Sequence, residues 1–184
     1  QQGVQNNAQV EWQQVIHSVQ DADAYIDLLF NNSTERTEEL KKLQSPVIIV
    51  NAVSNALDKL PAGFIRINGW KSFLKRPLVE AAGVDENKAA AEKIFANFNK
   101  TAEWVSDVPG FVTPRVISSI INEAYFTLEE KVSTKEEIDT AMKLGTNYPY
   151  GPFEWCEMIG AKNVYSLLLK LAETNFRYTP SALL

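Results

Sequence analysis

The 184 residues predict an α/β unit followed by an all-α unit, and three observations carry that prediction. Up to about residue 106, short apolar, β-branched runs alternate with helical spacings, the signature of parallel strands covered by helices on both faces. Beyond it the strand signal stops, and amphipathic helical patterns follow one another to Leu184. Between the two lies Asp107-Val108-Pro109-Gly110, a Pro-Gly joint of the kind that separates domains. The expected domains are 1–106 and 107–184.

Residues 1–20 are rich in Gln and Asn around an apolar patch from Val10 to Val19, whose periodicity does not choose between strand, helix and loose arm. Ala24 to Phe30 is a short apolar run expected to form a buried strand. A helix is expected over Glu35–Leu43 with Asn32 or Ser33 as its N-cap. Pro46 to Val50 is the clearest strand, Phe64–Ile67 a third and Thr101–Val105 a fourth, with a helix over Asn87–Phe98 between the last two. In the second unit Val112, Val116, Ile120, Ala124 and Leu128 recur every four residues and predict a long amphipathic helix over 111–131. Ser133-Thr134-Lys135-Glu136 has the capping-box pattern and opens a helix to Lys143 ended by Gly145. After the rigid turn Tyr148-Pro149-Tyr150-Gly151-Pro152, helices are expected over Phe153–Ile159, stopped at Gly160, and over Asn163–Thr174.

Composition narrows the function classes. A formal charge of −5 argues against nucleic acid as a partner. One cysteine, Cys156, excludes an internal disulfide, and one histidine, His17, excludes a multi-histidine metal site. The longest apolar run is too short to span a bilayer and no signal peptide is visible, so no membrane association, no metal and a cytoplasmic location are expected. Neither G-x-G-x-x-G nor a P-loop occurs. On residues alone the chemistry is blank.

A resemblance fills part of that blank. Asp107-Val108-Pro109-Gly110-Phe111, Ile121-Asn122-Glu123-Ala124, Ile138-Asp139-Thr140-Ala141-Met142-Lys143-Leu144-Gly145, Tyr148-Pro149-Tyr150-Gly151-Pro152-Phe153-Glu154 and the tail Phe176 to Leu184 resemble, in order and spacing, the C-terminal domain of the 3-hydroxyacyl-CoA dehydrogenases. Upstream, Asp21-Ala22-Asp23-Ala24, Asn51-Ala52-Val53-Ser54, Ile67-Asn68-Gly69-Trp70 and Leu78-Val79-Glu80 are collinear with the same family. The resemblance implies a partial Rossmann-like parallel sheet, truncated at its Gly-rich front, and a helical domain of the 6-phosphogluconate-dehydrogenase C-terminal type. It also implies a homodimer formed through the helical half and a cleft for acyl-CoA.

In that family a histidine held by a glutamate takes the hydroxyl proton while a hydride passes to NAD. The resemblance puts the glutamate on Glu80 and the histidine on Asn68, whose amide has no basic nitrogen. The family serine falls on Val53, with Ser54 beside it, and the family asparagine on Pro114, with its arginine kept as Arg115. Losing a general base forfeits about 10²–10⁴ in rate. The expectation is a catalytically degenerate family member, with a vestigial Glu80, that binds an acyl-CoA or a partner and needs no cofactor. The alternative is an active NAD-dependent dehydrogenase with a remodelled site, or one completed by residues outside this chain.

Other candidates are weighed against plainer roles. Asn51 and Ser54, at a strand end, and Arg115 are substrate-binding candidates. Arg36 is a phosphate-binding candidate whose plainer role is a solvated helix face. Lys71, Lys75 and Arg76 are candidates for CoA phosphates, and Trp70, Phe73, Tyr148, Tyr150, Phe153 and Trp155 either line an acyl cleft or simply pack. Cys156 is expected to be buried and inert.

Overall fold

A computed structural model describes residues 10–43, 45 and 47–184. Pro46, expected to open the second strand, and residues 1–9 of the Gln- and Asn-rich stretch lie outside the described residues. The chain divides into two compact units, Gln1–Phe111 and Val112–Leu184.

The first unit is built on a five-stranded sheet of order β1 (Tyr25–Asp27), β2 (Ile48–Asn51), β3 (Phe64–Ile67), β4 (Leu78–Ala82), β5 (Thr101–Trp104). Three pairings are parallel, as the two-sided apolar runs predict; β3 with β4 is antiparallel, so the sheet is mixed rather than wholly parallel. β4 went unseen as a strand because Leu78-Val79-Glu80-Ala81-Ala82 lacks the β-branched density that marks β2. β1 is shorter than its apolar run: the Asp27 side chain accepts the Leu29 N–H at 2.9 Å and turns the chain out of the sheet.

Alternation along the strands sends side chains to two separate cores. Ile48, Val50, Ala52 and Phe64 meet Leu40 and Leu43, from α1 (Thr34–Lys41) and the residues just after it. Ile49, Ile65, Ile67, Val79 and Ala81 meet Ala91 and Phe95 of α2 (Asp85–Asn97). Ile49, Val50 and Ile65 are wholly buried, and each such side chain contributes about 1.5–3 kcal/mol relative to exposure, which lets strands of three to five residues hold their places.

The second unit contains α3 (Thr113–Glu129), α4 (Lys135–Thr146), α5 (Pro152–Ile159) and α6 (Ala161–Ala172). The buried face of α3 is Pro114, Ile117, Ser118, Ile121, Asn122, Ala124 and Tyr125, which shares only Ala124 with the stripe that repeats every four residues. A strict spacing of four drifts around a 3.6-residue helix, and Val112 and Val116 at its start are more than half exposed. The cap of α4 sits one residue later than expected. Thr134 accepts from Glu137 N–H, and Glu137 returns the bond to Thr134 N–H at 3.1 Å. Gly145 does not end this helix; Asn147, in the left-handed region at φ 56°, does. α6 buries Val164, Leu167, Leu168 and Leu171, the face its spacing predicts.

Candidate functional site

The antiparallel register of β3 and β4 builds the centre of the candidate site. Ile67 lies opposite Ala81, so one step further Asn68 lies opposite Glu80. Their backbones bond at 3.0 Å, and the Asn68 side-chain amide donates to a Glu80 carboxylate oxygen at 3.0 Å. Both residues are buried. The Asn68 side-chain oxygen faces Trp70 N–H at 3.3 Å. This pair can orient and hydrogen-bond a hydroxyl or carbonyl group, but an amide nitrogen has no lone pair to take a proton near neutral pH.

Asn51, at the end of β2, reaches both neighbours: its oxygen accepts Gly69 N–H at 3.0 Å and its nitrogen donates to the Leu28 carbonyl at 3.2 Å. A Cβ on Gly69 would meet the Asn51 side chain at 2.8 Å, so only glycine fits there. Val53 is buried, its carbonyl accepting Gly110 N–H at 2.8 Å, and Ser54 beside it is half-buried. Arg36 turns its fork onto Asp27, with contacts of 2.6 and 2.7 Å. That hydrogen-bonded pairing raises the guanidinium pKa further. His17 is exposed and bonded within its own segment, its ring nitrogens 3.1 Å from Glu11 and from the Val15 carbonyl. Lys71, Lys75 and Arg76 are exposed on the β3–β4 connection, while Trp70 and Phe73 are buried.

In the helical unit the same kind of side chain does a different job. Asn122 donates to the Thr179 carbonyl at 2.9 Å and accepts Ser181 N–H at 2.8 Å, pinning the C-terminal tail to α3. Asp139, buried on α4, accepts from Phe153 and Glu154 N–H at 2.8 and 3.2 Å and so caps α5. A Cβ on Gly151 would fall 2.2 Å from that carboxylate. Glu154 accepts Gly151 N–H and pairs with Lys143, which together hold its carboxyl below the usual range. Pro114 is fully buried in the first turn of α3, where proline lacks only a spare donor. Arg115 is half-buried, 5.8 Å from the Tyr178 ring. Tyr148 and Tyr150 pack on Trp155, and Phe153 on Tyr125. Cys156 is buried 3.7 Å from the Tyr125 hydroxyl; burial pushes its thiol up and the Tyr125 phenol to about 12.

Residues 110–184 match the family model for the 3-hydroxyacyl-CoA dehydrogenase C-terminal domain. The chain belongs to the 3-hydroxyacyl-CoA dehydrogenase family. The upstream unit agrees. A probable 3-hydroxybutyryl-CoA dehydrogenase of Bacillus subtilis is 29% identical over 93% of this chain and 66% of its own length. A 3-hydroxybutyryl-CoA dehydrogenase of Clostridioides difficile is 41% identical over 68% of this chain and 47% of its own length. The crystal structure of (S)-3-hydroxybutyryl-CoA dehydrogenase from Ralstonia eutropha superposes with a TM-score of 0.75 at 28% identity, covering 88% of this chain and 63% of that one. The chain thus spans less than two thirds of these dehydrogenases' length.

Dehydrogenases of this family use NAD; no G-x-G-x-x-G occurs in this sequence, and the Arg36 fork is taken by Asp27. No group of three or more His, Cys, Asp or Glu side chains suited to a metal converges among the described residues, and no helix among them is long and apolar enough to cross a membrane.

Several working residues escaped the sequence reading. Asn122, Asp139 and Gly151 were visible as motif letters without a job. Arg66 carried a signal that went unused, a lone cation in an apolar strand, Phe64-Ile65-Arg66-Ile67.

Proposed function

We propose that this chain is a catalytically degenerate 3-hydroxyacyl-CoA dehydrogenase relative, a dimeric module that binds an acyl-CoA or a partner without turning substrate over. The observation that carries the reading is the amide of Asn68 donating to buried Glu80, at the position where the family resemblance calls for an imidazole. Val53 and Pro114 stand where the resemblance calls for a serine and an asparagine, and neither side chain can hydrogen-bond a substrate oxygen. The single histidine is bonded to Glu11, in the segment before β1, which supports the same reading. The acyl-CoA specificity follows the dehydrogenases to which the chain is similar, with exposed Lys71, Lys75 and Arg76 as the phosphate-facing candidates.

The homodimer is proposed through the helical unit. Val112 at the N-cap of α3, Val116 on it, Tyr165 and Leu169 on α6, and Phe176 beyond it are 41–87% exposed, apolar side chains available to a second copy. Sedimentation is expected to give a dimer that Leu169→Glu weakens.

The test of the main reading is the reduction of acetoacetyl-CoA with NADH, run beside calorimetric titration of acetoacetyl-CoA. Heat of binding with no NADH oxidation above the buffer rate is the expected result. Sustained turnover overturns the degenerate reading.

A further inference from the structure

Arg66 is wholly buried in β3, two residues along the strand from Phe64 and therefore on the same face of the sheet. Its guanidinium gathers backbone from two separate segments. From the loop leaving β2 it takes the Ala52 carbonyl, at 3.2 Å, and the Asn55 carbonyl. From the segment leaving β5 it takes the Val108 carbonyl, at 2.6 Å. Its Nε lies 2.9 Å from Asp107, a charge contact rather than an aligned hydrogen bond, and its fork lies 4.1 Å over the Phe111 ring. Asp107 in turn accepts Leu57 N–H, at 2.9 Å, closing the circuit between the two segments.

Two further facts show that this arrangement holds the backbone in place. Gly110 and Phe111 both have positive φ, 88° and 47°, and a non-glycine residue keeps such a conformation only where its surroundings over-determine it. The cluster also lies beside the carboxyl end of β2, the side of an open α/β sheet where ligands enter. The carbonyls that a planar cation entering there would use are already occupied by the protein's own cation.

We propose that Arg66 is an internal latch that holds the loop leaving β2 and the segment leaving β5 closed on each other, and that its removal leaves a carbonyl-lined crevice able to take a small planar cation. Buried ion pairs are weak evidence for global stability, so the signature lies in local opening. The latch stands whether or not the chain binds an acyl-CoA or turns one over.

Two variants of the full chain test it. In Arg66→Met, which keeps a long apolar stem and loses the fork, amide exchange at 52–57 and 107–111 is expected to quicken about tenfold or more, with Val79 and Ala81 in β4 changed far less. In Arg66→Ala, about 20 mM guanidinium is expected to slow exchange at the same segments, and sodium chloride at equal ionic strength is not. Unchanged exchange at both segments, an equal rise across the whole sheet, or identical action of the two salts overturns the proposal. Should neither variant fold, Asp107→Asn loosens the latch from its half-exposed side, with about a threefold rise expected at the same segments; no rise there overturns the proposal.

Discussion

The helical unit and the sheet unit both match the dehydrogenase family, and they keep its letters for different reasons. In the helical unit, motif residues hold backbone: Asn122 pins the tail, Asp139 caps α5, and Gly151 leaves room for that cap. In the sheet unit, positions that the resemblance assigns to reacting groups hold Asn68 and Val53, and both are well packed. Pro114 is the helical unit's one such replacement, and it too suits its place in a first turn. A motif of the first kind is required by packing whatever the chemistry, whereas one of the second kind is required only by the chemistry. Agreement with a family in the first kind of residue is therefore evidence of fold and says little about turnover.

That contrast can be broken by substitution. The largest effect is expected for Gly151→Ala, whose added methyl displaces the Asp139 carboxylate and frees the buried Phe153 amide and the partly buried Glu154 amide; urea unfolding should show a loss of about 3 kcal/mol or more. A loss under half that size would mean the cap is not what the glycine serves. Asn122→Ala should cost about 2 kcal/mol, with faster exchange confined to 179–184. If the whole unit loosened evenly, the pinning role would be wrong.

Asn68→His sharpens the comparison from the other side. The new imidazole should titrate above its ordinary value, because the Glu80 carboxylate opposite it favours the charged ring more than burial opposes it. A raised folded-state value means that this stabilisation is full below about pH 6.5 and fades as pH rises through the folded value. Acetoacetyl-CoA reduction should stay at the buffer rate, since Val53 and Pro114 remain. Recovery of turnover by this single change would make Asn68 the only lesion.

The smallest effect concerns Tyr125. Its phenol should ionise near 12 in an absorbance titration. Stability linked to it is full below about pH 10, the unfolded value, and declines as pH climbs toward the folded one. A midpoint at 10 would show that the ring beside Cys156 is wetter than its packing indicates.

Much of the fold was legible because local signals agreed with tertiary need. Phe64–Ile67 and the buried face of α6 were read residue for residue from periodicity alone. Where the reading slipped, a competing force decided. Of the every-four stripe of α3 only Ala124 is buried, because sequence gives an angle around a helix but not which neighbours meet it. The α4 cap moved by one residue because Thr134 has the extended backbone a cap requires and its hydroxyl accepts Glu137 N–H, while the Ser133 hydroxyl bonds the Glu137 side chain. β4 is a strand by virtue of its partners on both sides, which no local window contains. The juxtaposition of Asn68 with Glu80 was legible only through the family, since register is a tertiary fact. Arg66 and its circuit were not read at all, because its acceptors are backbone carbonyls and carbonyls have no letters.

The cross-strand pairing of Asn68 with Glu80 has one more implication. Their separation belongs to the pleat, so whatever occupies position 68 is delivered to the acid opposite it. An amide there keeps the acid hydrated, in effect, by protein rather than by water. Strand pairing thus fixes which residues are neighbours and leaves the chemistry to the side chain at position 68.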